Sequence, residues 1–194
     1  MKSVYRPTFT AVLSAAPAST LMRLPLSTLA LLLALAAVPA ARADDLANAQ
    51  RLWLAGQKAQ AVDVVEQALT HAPDDLQLRF SLGVMRMEMG DRPQALAIFT
   101  RLTQDFPDLP DPFNNLAVLR AAAGELDEAK AALEQALRLQ PEHAQAQENL
   151  GDVLVRLALR AYQRAQKLSL APSDLLAGKI NGALALTRNL NKPR

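Results

Sequence analysis

Two histidines, two pairs of adjacent aspartates and no cysteine are the groups from which chemistry could be built. His71 or His143 could serve as a general base, and Asp44-Asp45 or Asp74-Asp75 as paired carboxylates, if a nucleophile or metal stood beside them. The spacing supplies neither. His71 closes one helical segment and His143 follows Pro141 at the opening of another, so each reads as a solvent-facing helix-end residue. Both aspartate pairs fall just before or at a helix start, where the helix dipole favours negative charge. Without Cys there is no thiolate nucleophile, disulfide or cysteine-ligated metal. Neither a glycine-rich phosphate loop nor an H-E-x-x-H pair occurs. The chain reads as no enzyme, with no cofactor and no metal.

The elements that position these residues are helices. Hydrophobic residues make up 51% of the chain and aromatics only 4%, and Ala and Leu dominate, which suits helix over strand. Leu82, Gly83, Gly90, Ala95, Phe99, Leu102 and Pro107 recur 34 residues later as Leu116, Ala117, Gly124, Ala129, Leu133, Ala136 and Pro141. The same shift backwards meets Ala49, Gly56, Ala61, Val65, Ala68 and Pro73. Each unit holds two helical segments. A glycine ends the first segment by supplying the turn, and a proline stops the second because it lacks an amide donor. The expected helices are about 45–55 and 58–71, 74–89 and 92–105, and 111–123 followed by a helix that ends near 139. Asp91 is placed to cap the fourth of these, with Pro93 early in it. Small residues at Gly83, Ala117, Gly151, Ala95 and Ala129 let helices approach, and Phe99 and Leu133 fill the space beside them.

The fourth unit departs from the pattern. Its expected turn glycine falls on Ala158, and no Gly or Pro interrupts Asp152 to Ala171. The apolar stripe Leu150, Val153, Leu154, Leu157, Ala161, Ala165, Leu168 favours one long helix over about 142–170, with a helix pair turning near Ala158 as the alternative. Ser173 and Asp174 can cap a last helix, about 173–190. It presents Leu176, Ile180 and Leu184 inwards, with a polar outer side carrying Lys179, Asn181 and Arg188. The tail from Asn191 is expected to be disordered.

The amino-terminal stretch has the layout of a secretory leader: basic Met22-Arg23, an apolar run from Leu24 to Val38, and Ala41-Arg42-Ala43 as an A-x-A cleavage motif. Cleavage after Ala43 and a true start at Met22 are expected. The protein is then periplasmic or secreted, with no stable membrane insertion after cleavage. An uncleaved leader anchored in the inner membrane is the alternative. Removing Lys2, Arg6, Arg23 and Arg42 from 21 basic residues leaves 17 against 19 acidic ones, a net of −2. Residues 44–143 carry a net of −7 and residues 144–194 a net of +5. No basic cluster is interleaved with aromatics, which argues against a nucleic-acid partner.

Two helices per unit at this spacing, with these glycines, alanines and prolines, resemble the tetratricopeptide repeat. The resemblance covers about 44–157 and is most specific in the second and third units. It implies an all-α, right-handed α-solenoid of antiparallel helix pairs. The domains are then 1–43 as leader, 44–172 as repeats (about 42–75, 76–109, 110–143 and 144–172) and 173–194 as capping helix and tail. It also implies a non-catalytic protein–protein interaction module, which the leader would place in the cell envelope as a scaffold. The first helix of each pair would line a concave groove for a peptide or extended partner segment. Carried over, the groove positions are Leu46, Gln50 and Trp53; Phe80, Val84 and Met87; Asn114, Val118 and Ala121; and Asp152 and Arg156. Some family members clamp a terminal carboxylate with Lys, Arg and Asn at two of these positions. Here Leu46, Gln50, Phe80, Val84, Asn114 and Val118 stand there, and only Asn114 fits, so such a clamp is not expected. Trp53, Phe80, Val84 and Met87 would anchor an apolar side chain, with Asn114 bonding a peptide backbone. A self-associating solenoid subunit and a periplasmic holdase-like chaperone are the alternatives.

Overall fold

The computed structural model describes residues 44–171 and 173–190. The leader with its cleavage site, the start at Met22, and the tail from Asn191 lie outside the described residues. Those described form eight helices and no strand: α1 (44–54), α2 (Lys58–His71), α3 (Leu76–Glu88), α4 (Arg92–Asp105), α5 (Pro110–Ala122), α6 (Leu126–Leu139), α7 (Ala144–Leu168) and α8 (Asp174–Leu190). This is an α-solenoid, with α1/α2, α3/α4 and α5/α6 as its helix pairs.

The turn inside each pair is the same. Gly56, Gly90 and Gly124 have φ of 79°, 81° and 83°. In each turn the next residue's amide reaches back across the helix end: Gln57 to the Leu52 carbonyl, Asp91 to that of Arg86, and Glu125 to that of Arg120, each at 2.9 Å. This closure needs a left-handed residue, which glycine adopts without steric penalty. In the fourth unit Ala158 stands at that place, and the chain stays helical from Ala144 to Leu168. Of the two readings open for this segment, the long helix is the one the protein adopts.

Helix starts beyond the pair turns are set by side-chain caps or by proline. Asp75 accepts the amide of Leu78 at 3.0 Å at the start of α3, and Ser173 Oγ accepts that of Leu176 at 3.3 Å at the start of α8. Pro110 opens α5, where a missing amide proton leaves nothing unsatisfied. Between helices, Arg79 donates to Asp105 at 2.8 Å, joining α3 to α4. Hydrogen bonding from Arg79, aided by Arg101, holds the Asp105 carboxyl below its ordinary range against the opposing effect of burial. The pair therefore stays ionised through that range and is lost only as pH falls below it, through the lowered Asp105 pKa.

The core follows from one pairing of sizes repeated along the chain. Ala61, Ala95 and Ala129 are completely buried at equivalent positions of α2, α4 and α6. Ala49 shares a buried cluster with Val65, and Ala117 with Leu133. Gly83 faces the largest of these partners: a Cβ there would lie 2.9 Å from Phe99 Cζ and 3.1 Å from Ile98 Cγ2. Gly151 corrects the sequence reading. It occupies the equivalent place on α7, yet nothing lies within 4 Å of where its Cβ would be. Its large partner would sit at position 167, which is Lys167, and α7 has not turned back to present it. α8 packs on α7 instead, with Ile180 and Ala183 buried. Its outer side is also not the polar surface expected, because Leu175 and Leu186 are exposed there.

Three substitutions separate these effects in urea unfolding. Gly124→Ala should lose about 1–2 kcal/mol through its left-handed backbone alone. Gly83→Ala should lose about 1–3 kcal/mol by overpacking against Phe99. Gly151→Ala should gain about 0.5–1 kcal/mol through helix propensity. Equal losses at Gly83 and Gly151 would refute the packing assignment.

Candidate functional site

Three cavities open along the side of the solenoid formed by α1, α3, α5 and α7. The first, about 440 Å³, is walled by Gln50, Trp53 and Leu54 of α1 and by Phe80, Ser81, Val84, Met85 and Glu88 of α3. The second, about 410 Å³, lies between Leu46 of α1, Leu76, Gln77, Phe80 and Ser81 of α3, and Leu109, Asp111 and Pro112 at the start of α5. The two share Phe80 and Ser81, so they are neighbours divided by one side-chain wall. The third, about 180 Å³, is formed by Ala117, Val118, Ala121 and Ala122 of α5, Leu133 of α6, and Asn149, Asp152, Val153 and Arg156 of α7. No residue of α2 or α4 lines any of them.

Phe80 holds its place by an edge-on contact with Phe99, ring centroids 5.6 Å apart at 79°. Phe99 is fully buried, so the dividing wall is set by the core of its own helix pair. Trp53 is half-buried against the cluster of Ala49, Val65 and Leu78. Lys58 Nζ sits 4.8 Å from the Trp53 ring centroid, giving that ring a cation on one face. Trp53 and Phe80 thus contribute to packing and to a cavity wall at once.

Of the eleven residues expected to line a groove, nine wall one of these cavities: Leu46, Gln50, Trp53, Phe80, Val84, Val118, Ala121, Asp152 and Arg156. Two do not. Met87 is half-buried against the cluster of Phe99, Leu102, Leu116 and Leu119 and lines none of these three cavities. Asn114 is only 7% exposed, and its carboxamide oxygen accepts from Asn149 Nδ2 at 2.8 Å. That oxygen is therefore spent between α5 and α7 rather than offered to a peptide backbone. Ser81, Leu109 and Pro112 line the second cavity without having been picked out. Ser81 falls one place beside Phe80 on α3, and Leu109 and Pro112 lie at the entry to α5.

His143 is also corrected. Its Nδ1 accepts the amide of Ala146 at 3.3 Å, capping α7. The ring proton is then on Nε2, which donates to Asp111 Oδ1 at 3.0 Å. The ring links two units and does not face solvent. At the charged end, Arg156 donates to the Ala121 carbonyl at 3.2 Å, and Arg160 makes a two-pronged contact with Asp127 at 2.7 and 2.9 Å. Among the described residues no group of three His, Asp or Glu side chains is placed to hold a metal.

Tetratricopeptide repeat models match residues 52–119 and 114–174. Comparison with curated proteins gives no match. Several solved structures have the same fold. The second repeat domain of human RPAP3, solved in complex with the HSP70 peptide SGPTIEEVD, is 18% identical, with TM-score 0.54 over 60% of this chain and 98% of that one. The Sgt2 repeat domain of Aspergillus fumigatus is 16% identical, with TM-score 0.57 over 69% and 86%. MamA of Desulfovibrio magneticus is 17% identical, with TM-score 0.55 over 78% of each.

Asn114→Ala should act on stability before it acts on binding. Asn149 loses its buried acceptor, and unfolding should become easier by about 1–2 kcal/mol. A fully stable Asn114→Ala protein would return this residue to the groove.

Proposed function

This chain belongs to the tetratricopeptide repeat family, and from that membership we propose that it is a non-catalytic interaction module of the cell envelope. It holds an extended segment of a partner protein along the groove of α1, α3, α5 and α7. The observation that carries the reading is the pair of apolar cavities divided by Phe80 and Ser81. Side chains of an extended segment alternate, so two apolar residues two places apart in the ligand would enter the two cavities. Trp53 and Phe80 are the aromatic anchors of such a contact. That a related fold holds a peptide in human RPAP3 supports this use of the surface.

The ligand differs in kind from a carboxylate-terminated acidic tail. Phe80, Val84 and Val118 occupy the places where a clamp would need cations, and Asn114 is engaged with Asn149. Residues 44–143 carry a net of −7, which favours a segment whose apolar residues are flanked by basic ones. Placement in the envelope rests on the leader: Met22-Arg23, the apolar run and Ala41-Arg42-Ala43.

Trp53 is the only tryptophan of the chain, so its emission reports the first cavity directly. Peptides selected by display should carry two large apolar residues at alternate positions and should shift Trp53 emission to the blue. Val84→Glu, which puts a charge into that wall, should weaken their binding at least about tenfold while leaving helicity unchanged. Selected peptides that bind Val84→Glu as well as the parent, or leave Trp53 unmoved, would contradict the proposal.

A further inference from the structure

The end of the solenoid that bears α8 does not look like a closed cap. Leu168 at the end of α7 is 77% exposed, Leu175 in the first turn of α8 is 72% exposed, and Leu170 between them is fully exposed. Single exposed leucines are ordinary, but a cluster at one turn is not. Ser169, Leu170, Ala171, Ser173 and Asp174 wall one hollow at this tip. Along α8, Leu175, Lys179, Gly182 and Leu186 follow at helical intervals. They form one outward stripe, with Leu186 54% exposed.

The charge around this surface is predominantly positive. Arg164, Lys167 and Lys179 stand within a few turns of the tip against one acidic residue, Asp174, while Arg156 and Arg160 are engaged with Ala121 and Asp127. Arg164, Lys167 and Leu168 stand at i, i+3 and i+4 and so share a face of the last turns of α7. Protruding leucines on a basic ground are the composition of a surface that sits in the headgroup layer of an anionic bilayer. Apolar side chains enter the acyl boundary while neighbouring cations meet lipid phosphates. Among the described residues no helix is long and apolar enough to cross a membrane, so the contact is with one leaflet.

We propose that the α7–α8 end docks on an anionic lipid surface, with Leu168, Leu170 and Leu175 entering it and Arg164 and Lys167 pairing with its phosphates. The occupant is a bilayer. A second copy offering the same end would set like charges against each other, and one offering its acidic repeats is distinguished by the lipid-free measurement below. The groove is left free for its ligand, and the two contacts are independent.

The chain has no cysteine, which allows an environment-sensitive dye to be placed at one chosen site of the full chain. A dye on Ala171→Cys should shift to the blue and become accessible to lipid-borne quenchers on vesicles of 30% phosphatidylglycerol in phosphatidylcholine. Pure phosphatidylcholine should give little response. The same dye on Gln104→Cys of α4 should not respond to either vesicle, which separates this contact from any made by the leader. Leu170→Glu with Leu175→Glu, and separately Arg164→Glu with Lys167→Glu, should each weaken the Ala171 response at least about tenfold. Both pairs are exposed, and unchanged circular dichroism would establish that they fold. The proposal is overturned if the Ala171 dye ignores anionic vesicles or responds equally in the glutamate variants. It is also overturned if the dye shifts with protein concentration in the absence of lipid, which would make the occupant a second copy.

Discussion

The fold depends on matching a small residue on the first helix of each pair with a large one on the second. Ala49 with Val65, Gly83 with Phe99 and Ala117 with Leu133 are the same contact with the volume shared differently. Interiors are close-packed, so the smaller partner sets how near the helices come and the larger fills what remains. A helix pair made this way still leaves an apolar side open, and the next pair covers it. The groove is a consequence. Phe99 fixes Phe80 by an edge-on contact, and Phe80 divides the two apolar cavities.

The same contact explains where the repeat stops. A fourth pair would need a left-handed turn at position 158 and a large apolar residue at 167. The chain has Ala158 and Lys167, and α7 runs on as one helix of 25 residues. Arg156 and Arg160 tie its middle back to α5 and α6, and α8 takes the place of the missing partner. The terminal unit is thereby released from the geometry of the repeat, and its outer surface keeps leucines that a closed cap would have hidden.

Much of this was legible in the sequence because it rests on local backbone chemistry. Gly56, Gly90 and Gly124, with Pro73, Pro107 and Pro141, mark helix ends by the conformations they permit or forbid. The family resemblance, carried over position by position, also named nine residues that wall the cavities. What escaped depends on how one unit is rotated against the next. Asn114 and Asn149 are 35 residues apart, and each by itself fits a groove or a surface. Only the approach of α5 and α7 turns them towards each other. His143 was misjudged for a similar reason: its ring meets Asp111 across a unit boundary, while periodicity describes only its own helix. Gly151 looked like a packing residue because its register is right, but the partner that would give that register meaning is absent.

The account rests on the two cavities beside Phe80 receiving the side chains of an extended ligand. The most direct measurement is of intermolecular nuclear Overhauser contacts between the isotope-labelled protein and a bound, unlabelled peptide. The account predicts contacts from two alternate apolar side chains of the peptide, one reaching the Trp53 ring and Val84, the other reaching Leu46 and Leu76, with Phe80 touched by both. Contacts confined to α2, α4 and α6, or to the α7–α8 end, would contradict it.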